Sequence, residues 1–148
     1  MTRSEMMSRI GPRDTAPEMV VRRGLHRLGF RFRLHRKDLP GRPDIVLPRY
    51  RAVIFVHGCF WHGHAGCIYF RLPKTNSAFW KAKIARNAER DGEAVASLIA
   101  QGWRALTVWE CITRRQPSET VSERIAGWLR GPHVVGELGA PAGAAVEG

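Results

Sequence analysis

The chain has 148 residues, enough for one domain with a real hydrophobic core. Its formal charge is +11, from 24 basic and 13 acidic side chains, and 20 of the basic ones are arginine, whose planar fork grips phosphate oxygens in pairs, so a polyanion partner is expected. No apolar stretch approaches the roughly 18 residues that cross a bilayer, and the polar start Met1–Arg9 does not read as a secretion signal, so a cytoplasmic protein with no membrane attachment is expected.

Residues 1–14 are basic and polar with Met6, Met7 and Ile10 interspersed, an arm suited to lying along a partner. Thr15, Pro17 and Glu18 open a helix, with Thr15 as N-cap and Glu18 as its reciprocal capping partner. Val20, Val21, Leu25 and Leu28 then form a stripe at helical spacing, and Gly29 supplies a left-handed stop. Phe30–Leu34 alternates apolar residues with arginine, which predicts a strand with one buried face. After a turn-rich connection, His35–Pro43, two apolar runs, Asp44–Leu47 and Ala52–Val56, predict a hairpin entering the core. A loop dense in cysteine and histidine follows. Asn76 or Ser77 can cap a long helix to about Ala100, with Phe79, Ile84, Val95, Leu98 and Ile99 as apolar positions and Gly102 as its end. Trp103–Trp109 reads as a buried strand, Leu106 and Val108 on one face, which delivers Glu110 and Cys111 at its end. Ser118–Leu129 is a last helix, and the segment 131–148 is rich enough in glycine, alanine and proline to be expected as a flexible tail. The expected organisation is an arm (1–14), one domain (15–130) and a tail (131–148). Its order of helix, three strands, helix, strand and helix implies an α/β fold, a mixed sheet with helices on its faces.

Three cysteines in a reducing compartment read as thiols or metal ligands rather than a disulfide framework. Cys59, His64 and Cys67 fall in a Cys-x4-His-x2-Cys pattern among Gly58, Gly63 and Gly66, short enough for one loop to wrap a tetrahedral ion. Cys111, from the distant strand end, could complete a structural zinc site; the alternative is three buried thiols. With His64 engaged, His57 and His62 remain nearby, and Asp44 lies on the adjoining strand. A carboxylate is a hard ligand for magnesium, and a histidine can move protons near working pH. Those are the parts of phosphodiester hydrolysis. Taken singly, Asp44 is equally a strand-entry turn residue and His57 a strand-end histidine. Glu18 is either a helix-cap partner or an acid that holds a water beside the metal, and spacing leaves both open.

Several strings together carry a resemblance: Gly41-Arg42-Pro43-Asp44, His57-Gly58-Cys59-Phe60-Trp61-His62, Phe79-Trp80, Asn87 with Glu89-Arg90-Asp91, and Val108-Trp109-Glu110-Cys111. From Thr2 to about Leu129 the chain resembles the very-short-patch-repair endonucleases, bacterial enzymes that nick DNA beside the thymine of a T:G mismatch. The resemblance implies a PD-(D/E)xK-type nuclease fold with Asp44 as the central magnesium ligand. The superfamily's E-x-K tripeptide corresponds to Phe55-Val56-His57, so its acid is absent and His57 stands in the lysine's place, with Glu18 making up part of the deficit through water. Val56 occupies a metal-site position often filled by threonine; a ligand from the backbone carbonyl would survive that change, and one from a hydroxyl would not. His62 is implied as the proton-transfer residue and Asp91 as the partner that orients a histidine, while the structural zinc falls on Cys59, His64, Cys67 and Cys111. Phe60, Trp61 and Trp80 correspond to a wedge that enters the base stack where a wobble pair makes opening easiest; core packing is the plain alternative for these rings. Lys83 and Asn87, one turn apart, could read base edges, and Met7 could reach the groove from the other side. The expectation is a magnesium-dependent nick 5′ to the mispaired thymine, made by a monomeric, nucleoid-associated bacterial protein acting on double-stranded DNA, with a repair polymerase following. Its rivals are a related nuclease with another target preference and a zinc-stabilised DNA-binding module without activity.

Overall fold

A computed structural model describes residues 15–64, 67 and 70–139. The expected arm, with Met7, and residues 140–148 lie outside the described residues.

The first helix, α1 (Ala16–Arg27), has the predicted N-cap, the Thr15 hydroxyl accepting from the Glu18 N–H at 3.4 Å with Pro17 in the first turn, while the Glu18 carboxylate meets His35 and Arg22. It ends where Gly29, at φ 88°, turns the chain so that the Phe30 N–H closes back on the Leu25 carbonyl at 3.0 Å. Of the alternating stretch Phe30–Leu34 only Arg33–Leu34 pairs as a strand, β1, although Phe30 is buried and Phe32 packs on the core as the alternation requires. β2 (Ile45–Leu47) and β3 (Ala52–His57) form the predicted antiparallel hairpin, joined by a 3-10 turn at Pro48–Tyr50. The long helix α2 spans Ser77–Ala100. Asn76 at its start differs from the expected cap: it adopts φ 58° and makes no side-chain capping bond. β4 (Arg104–Trp109) leads directly into a short helix, α3 (Glu110–Arg115), which the sequence did not announce, and then α4 (Ser118–Arg130).

The strands lie side by side in the order β1-β2-β3-β4-β5, antiparallel up to β3 and parallel from β3 onward. The fifth, β5 (Val135–Leu138), corrects one expectation: this part of the supposed flexible tail pairs with β4, Ala105 opposite Val135 and Val108 opposite Leu138. Alternate side chains go to opposite faces. Ile45, Leu47, Ala52, Ile54, Leu106 and Val108 meet α1 and α4 on one face, whereas Val46, Val53, Phe55 and Ala105 meet Ala94 and Leu98 of α2 on the other. α1 and α4 approach so closely that a Cβ on Gly24 would lie 1.7 Å from the Ser122 hydroxyl. The hairpin and the parallel pairing bring the start of β2 and the ends of β3 and β4 to one end of the sheet. Every titratable group considered for chemistry gathers there.

Candidate active site and metal centre

Asp44 immediately precedes β2, and the Val56 N–H of β3 donates to its Oδ2 at 2.7 Å. Burial pushes this carboxyl up to about 6; the Val56 bond opposes the shift, the charge of Glu18 adds to it, and His35 and His62 counteract it. Glu18 enters from α1. It is 1% exposed, and its Oε2 meets His35 Nε2 at 2.7 Å and Arg22 Nη1 at 3.4 Å. One potential ligand atom from each of Glu18, His35 and Asp44 lies within 4.8 Å of the other two. Two carboxylates and an imidazole this close, one carboxylate disfavoured in its charged form, fit a divalent cation that would neutralise them.

Beside this group stands a second one. His57, ending β3, stacks on His62 with centroids 3.8 Å apart and planes 3° from parallel. Asp91 of α2 reaches His62 Nδ1 at 2.6 Å and lies 3.9 Å from His57 Nδ1. Burial pushes His57 down to about 3, His62 adding to the shift and Asp91 opposing it, so His57 is neutral at working pH. Parallel rings this close disfavour two charges, and of the two it is His62 that makes the short contact with Asp91. An Asp–His pair of this kind orients Nδ1–H toward the carboxylate and leaves Nε2 for proton transfer.

The loop that carries His62 is held by one stripe of α2. Asn87 Nδ2 donates to the Trp61 carbonyl at 2.9 Å, Asp91 takes His62, and a Cβ on Gly63 (φ 66°) would come 2.7 Å from Ile84. Asn87 therefore anchors the loop with its amide, a task the sequence reading did not give it. Lys83 is exposed on the same helix. Phe60, Trp61 and Trp80 lie outside the sheet's cores in a half-exposed cluster of edge-to-face contacts at 5.2–5.7 Å, and Phe79, 59% exposed, extends it.

Farther along the loop, Cys59, His64, Cys67 and Cys111 are all buried, with their ligand atoms within 4.8 Å of one another. His64 Nδ1 is 3.6 Å from Cys111 Sγ, and its ring lies flat on Trp109 at 4.2 Å. Burial pushes the Cys111 thiol up to about 11, raises Cys59 as well and lowers His64. Such thiols stay protonated alone and become thiolates around a metal ion, and a neutral imidazole is the ligand form, so the cluster fits one cation.

Residues 1–67 match the family described as DNA mismatch endonuclease Vsr. The DNA mismatch endonuclease Vsr of Escherichia coli (strain K12) is 45% identical over 133 residues, 88% of this chain and 85% of that protein. The chain belongs to the Vsr family. Two further relatives are the Type II nicking enzymes V.XorIIP of Xanthomonas oryzae pv. oryzae, 53% identical over 109 residues (74% of this chain, 79% of the relative), and V.NmeAIP of Neisseria meningitidis, 45% over 109 residues (74% and 77%). Within the Vsr family's PD-(D/E)xK nuclease fold, the hairpin places Asp44 against Val56, and His57 follows at the end of β3.

Of the residues singled out in the sequence, Asp44, Glu18, His57, His62 and Asp91 converge at one end of the sheet, and the four Cys/His ligands converge beside them. His35 escaped notice inside a connection read as turn. The signal was present: continuing the pairing of Arg33 with Val46 and Leu34 with Ile45 by one residue puts His35 opposite Asp44.

Proposed function

We propose that the protein hydrolyses one strand of duplex DNA on the 5′ side of the thymine in a T:G mismatch, leaving a 3′-hydroxyl and a 5′-phosphate and so opening a very short repair patch. Membership of the Vsr family supports the substrate. The observation that carries the chemistry is the convergence of Asp44 with the Asp91–His62–His57 group.

Asp44 and the Val56 backbone carbonyl would hold a magnesium ion, which when bound neutralises phosphate charge and activates water. Glu18 orients the attacking water from the α1 side. His62, aligned by Asp91, gives a proton to the leaving oxygen through Nε2, and neutral His57 supports its ring by stacking without adding a competing charge. Cys59, His64, Cys67 and Cys111 take a structural zinc ion that ties the loop to the end of β4. Phe60, Trp61 and Trp80 enter the base stack at the mismatch, Lys83 and Asn87 approach base edges, and Met7 of the arm reaches the groove. The protein acts as a monomer in the bacterial cytoplasm at the nucleoid, and a repair polymerase takes over the nick. Among the described residues no helix is long and apolar enough to cross a membrane.

The deciding experiment is a nicking assay on matched and T:G duplexes with and without magnesium. The wild type is expected to nick the T:G duplex only with magnesium. Asp44→Ala is expected to lose nicking and keep mismatch binding; undiminished cleavage by that variant would remove Asp44 from its role.

A further inference from the structure

We propose that His35 is a positioning residue for the cation site: its imidazole holds the Glu18 carboxylate in the place from which it serves a divalent ion at Asp44. The inference rests on the assignment of Asp44 as the cation ligand.

Four observations lead there. The contact is short, 2.7 Å between His35 Nε2 and Glu18 Oε2, the length of a charge-assisted bond. It is also sheltered, since the His35 side chain is 16% exposed and that of Glu18 1%, so water competes poorly for it. The backbone of His35 is pinned to the same residue that carries the catalytic carboxylate: its N–H donates to the Asp44 carbonyl at 3.1 Å. Finally, His35 adopts φ 50°, a left-handed conformation that a residue with a side chain keeps only where its surroundings enforce it.

Together these make a rigid bridge. α1 supplies Glu18, and Asp44 immediately precedes β2, so the two carboxylates come from separate elements. His35 touches both, one through its ring and the other through its main chain. With Nε2–H as donor, the Glu18 carboxylate oxygen accepts. A carboxylate set this way would serve a cation held at Asp44, and loss of such an outer partner typically weakens metal affinity by about 10- to 100-fold. Arg22 also reaches Glu18 Oε2, at 3.4 Å, so the imidazole is the closer of these two contacts.

The test compares His35→Leu and His35→Gln with wild type, using magnesium and manganese as probes. Isothermal titration with each ion and nicking of a T:G duplex across a magnesium series are the readouts. His35→Leu is expected to weaken binding of both ions by about tenfold or more and to shift half-maximal nicking to correspondingly higher magnesium. The rate at saturating magnesium should largely recover. His35→Gln, which keeps an N–H donor, is expected to restore most of the affinity, a rescue that a purely structural role would not give. Unchanged ion affinity in His35→Leu would overturn the proposal, as would a glutamine variant no better than leucine. So would a nitrogen modulation of bound manganese, in pulsed electron spin resonance, that disappears in His35→Gln, because it would make His35 a direct ligand. Asp44→Ala separates the two layers: if it binds ions like wild type, the Asp44 assignment fails first; if it loses them while His35→Leu does not, only the role of His35 fails.

Discussion

Asp44 is held in a way that suits a cation and penalises the protein without one. Its carboxyl titrates near 6 instead of 3.8, chiefly through burial, so the folded state binds this proton more tightly than the unfolded chain does. The sign follows. Its contribution to stability is fully present below about pH 3.8, falls as pH rises toward 6, and stays lost above that. Asp44→Asn keeps an acceptor for the Val56 N–H and removes the charge. It is expected to raise stability in EDTA at pH 7–8 by up to about 3 kcal/mol, with residual solvent contact reducing the gain, and to abolish nicking. Urea unfolding of both proteins at pH 4 and pH 8 checks this, because the gain should vanish at the lower pH. A variant no more stable than wild type at pH 8 would show that Asp44 is not under electrostatic strain. At this scale the convergence was largely legible, because Asp44, His57, His62 and the Cys59, His64, Cys67 and Cys111 cluster are near in sequence or distinctive in type. His35 was not. Its role depends on a strand ladder carried one residue past β1 and on a ring crossing to α1, neither of which a residue-by-residue reading exposes.

Among the elements, α2 does two jobs along its length. Ala94 and Leu98 in its C-terminal half pack on the sheet, whereas Ile84, Asn87 and Asp91 hold the loop that carries Trp61, His62 and Gly63. A helix with so few buried residues is explained by the second task. Asn87→Ala would leave the Trp61 carbonyl without this partner, at a cost of about 1–2 kcal/mol. The loop carries His62, the histidine proposed to transfer the proton, so a small displacement is expected to matter more for rate than for stability. Nicking at saturating magnesium should fall by roughly 10- to 100-fold, with ion affinity at Asp44 unchanged. Single-turnover rates beside ion titrations measure the two quantities separately, and an unaltered rate would show that Asp91 alone suffices to place His62. Element boundaries that rest on caps and periodicity, α1 and the hairpin, could be read directly from the residues. β5 could not, because composition counted its glycine as a sign of flexibility. In the fold Gly136 is required by packing: a Cβ there would come 2.3 Å from the Trp128 indole nitrogen, so the residue that looked like a breaker is what lets the strand lie against α4.

Across the whole molecule two contributions to binding have different physical origins and should separate in solution. The formal charge of +11 attracts any duplex, and neutralising phosphates releases counterions, so affinity should fall steeply and linearly on a log–log plot against salt. Mismatch preference, in contrast, is proposed to come from Phe60, Trp61 and Trp80, uncharged rings grouped on and against the loop that carries His62. A wedge adds no counterion release. Matched and T:G duplexes are therefore expected to give parallel salt lines, displaced from one another by the preference. Trp80→Ala should bring the lines together, reducing the preference by roughly 10- to 100-fold, as expected for about 1–3 kcal/mol of stacking, and should leave the slope as it was. Fluorescence anisotropy across a potassium chloride series, in EDTA so that no strand is cut, measures slope and displacement together. A preserved displacement in Trp80→Ala would move mismatch recognition off this ring, and a changed slope would mean that the substitution had disturbed the phosphate contacts.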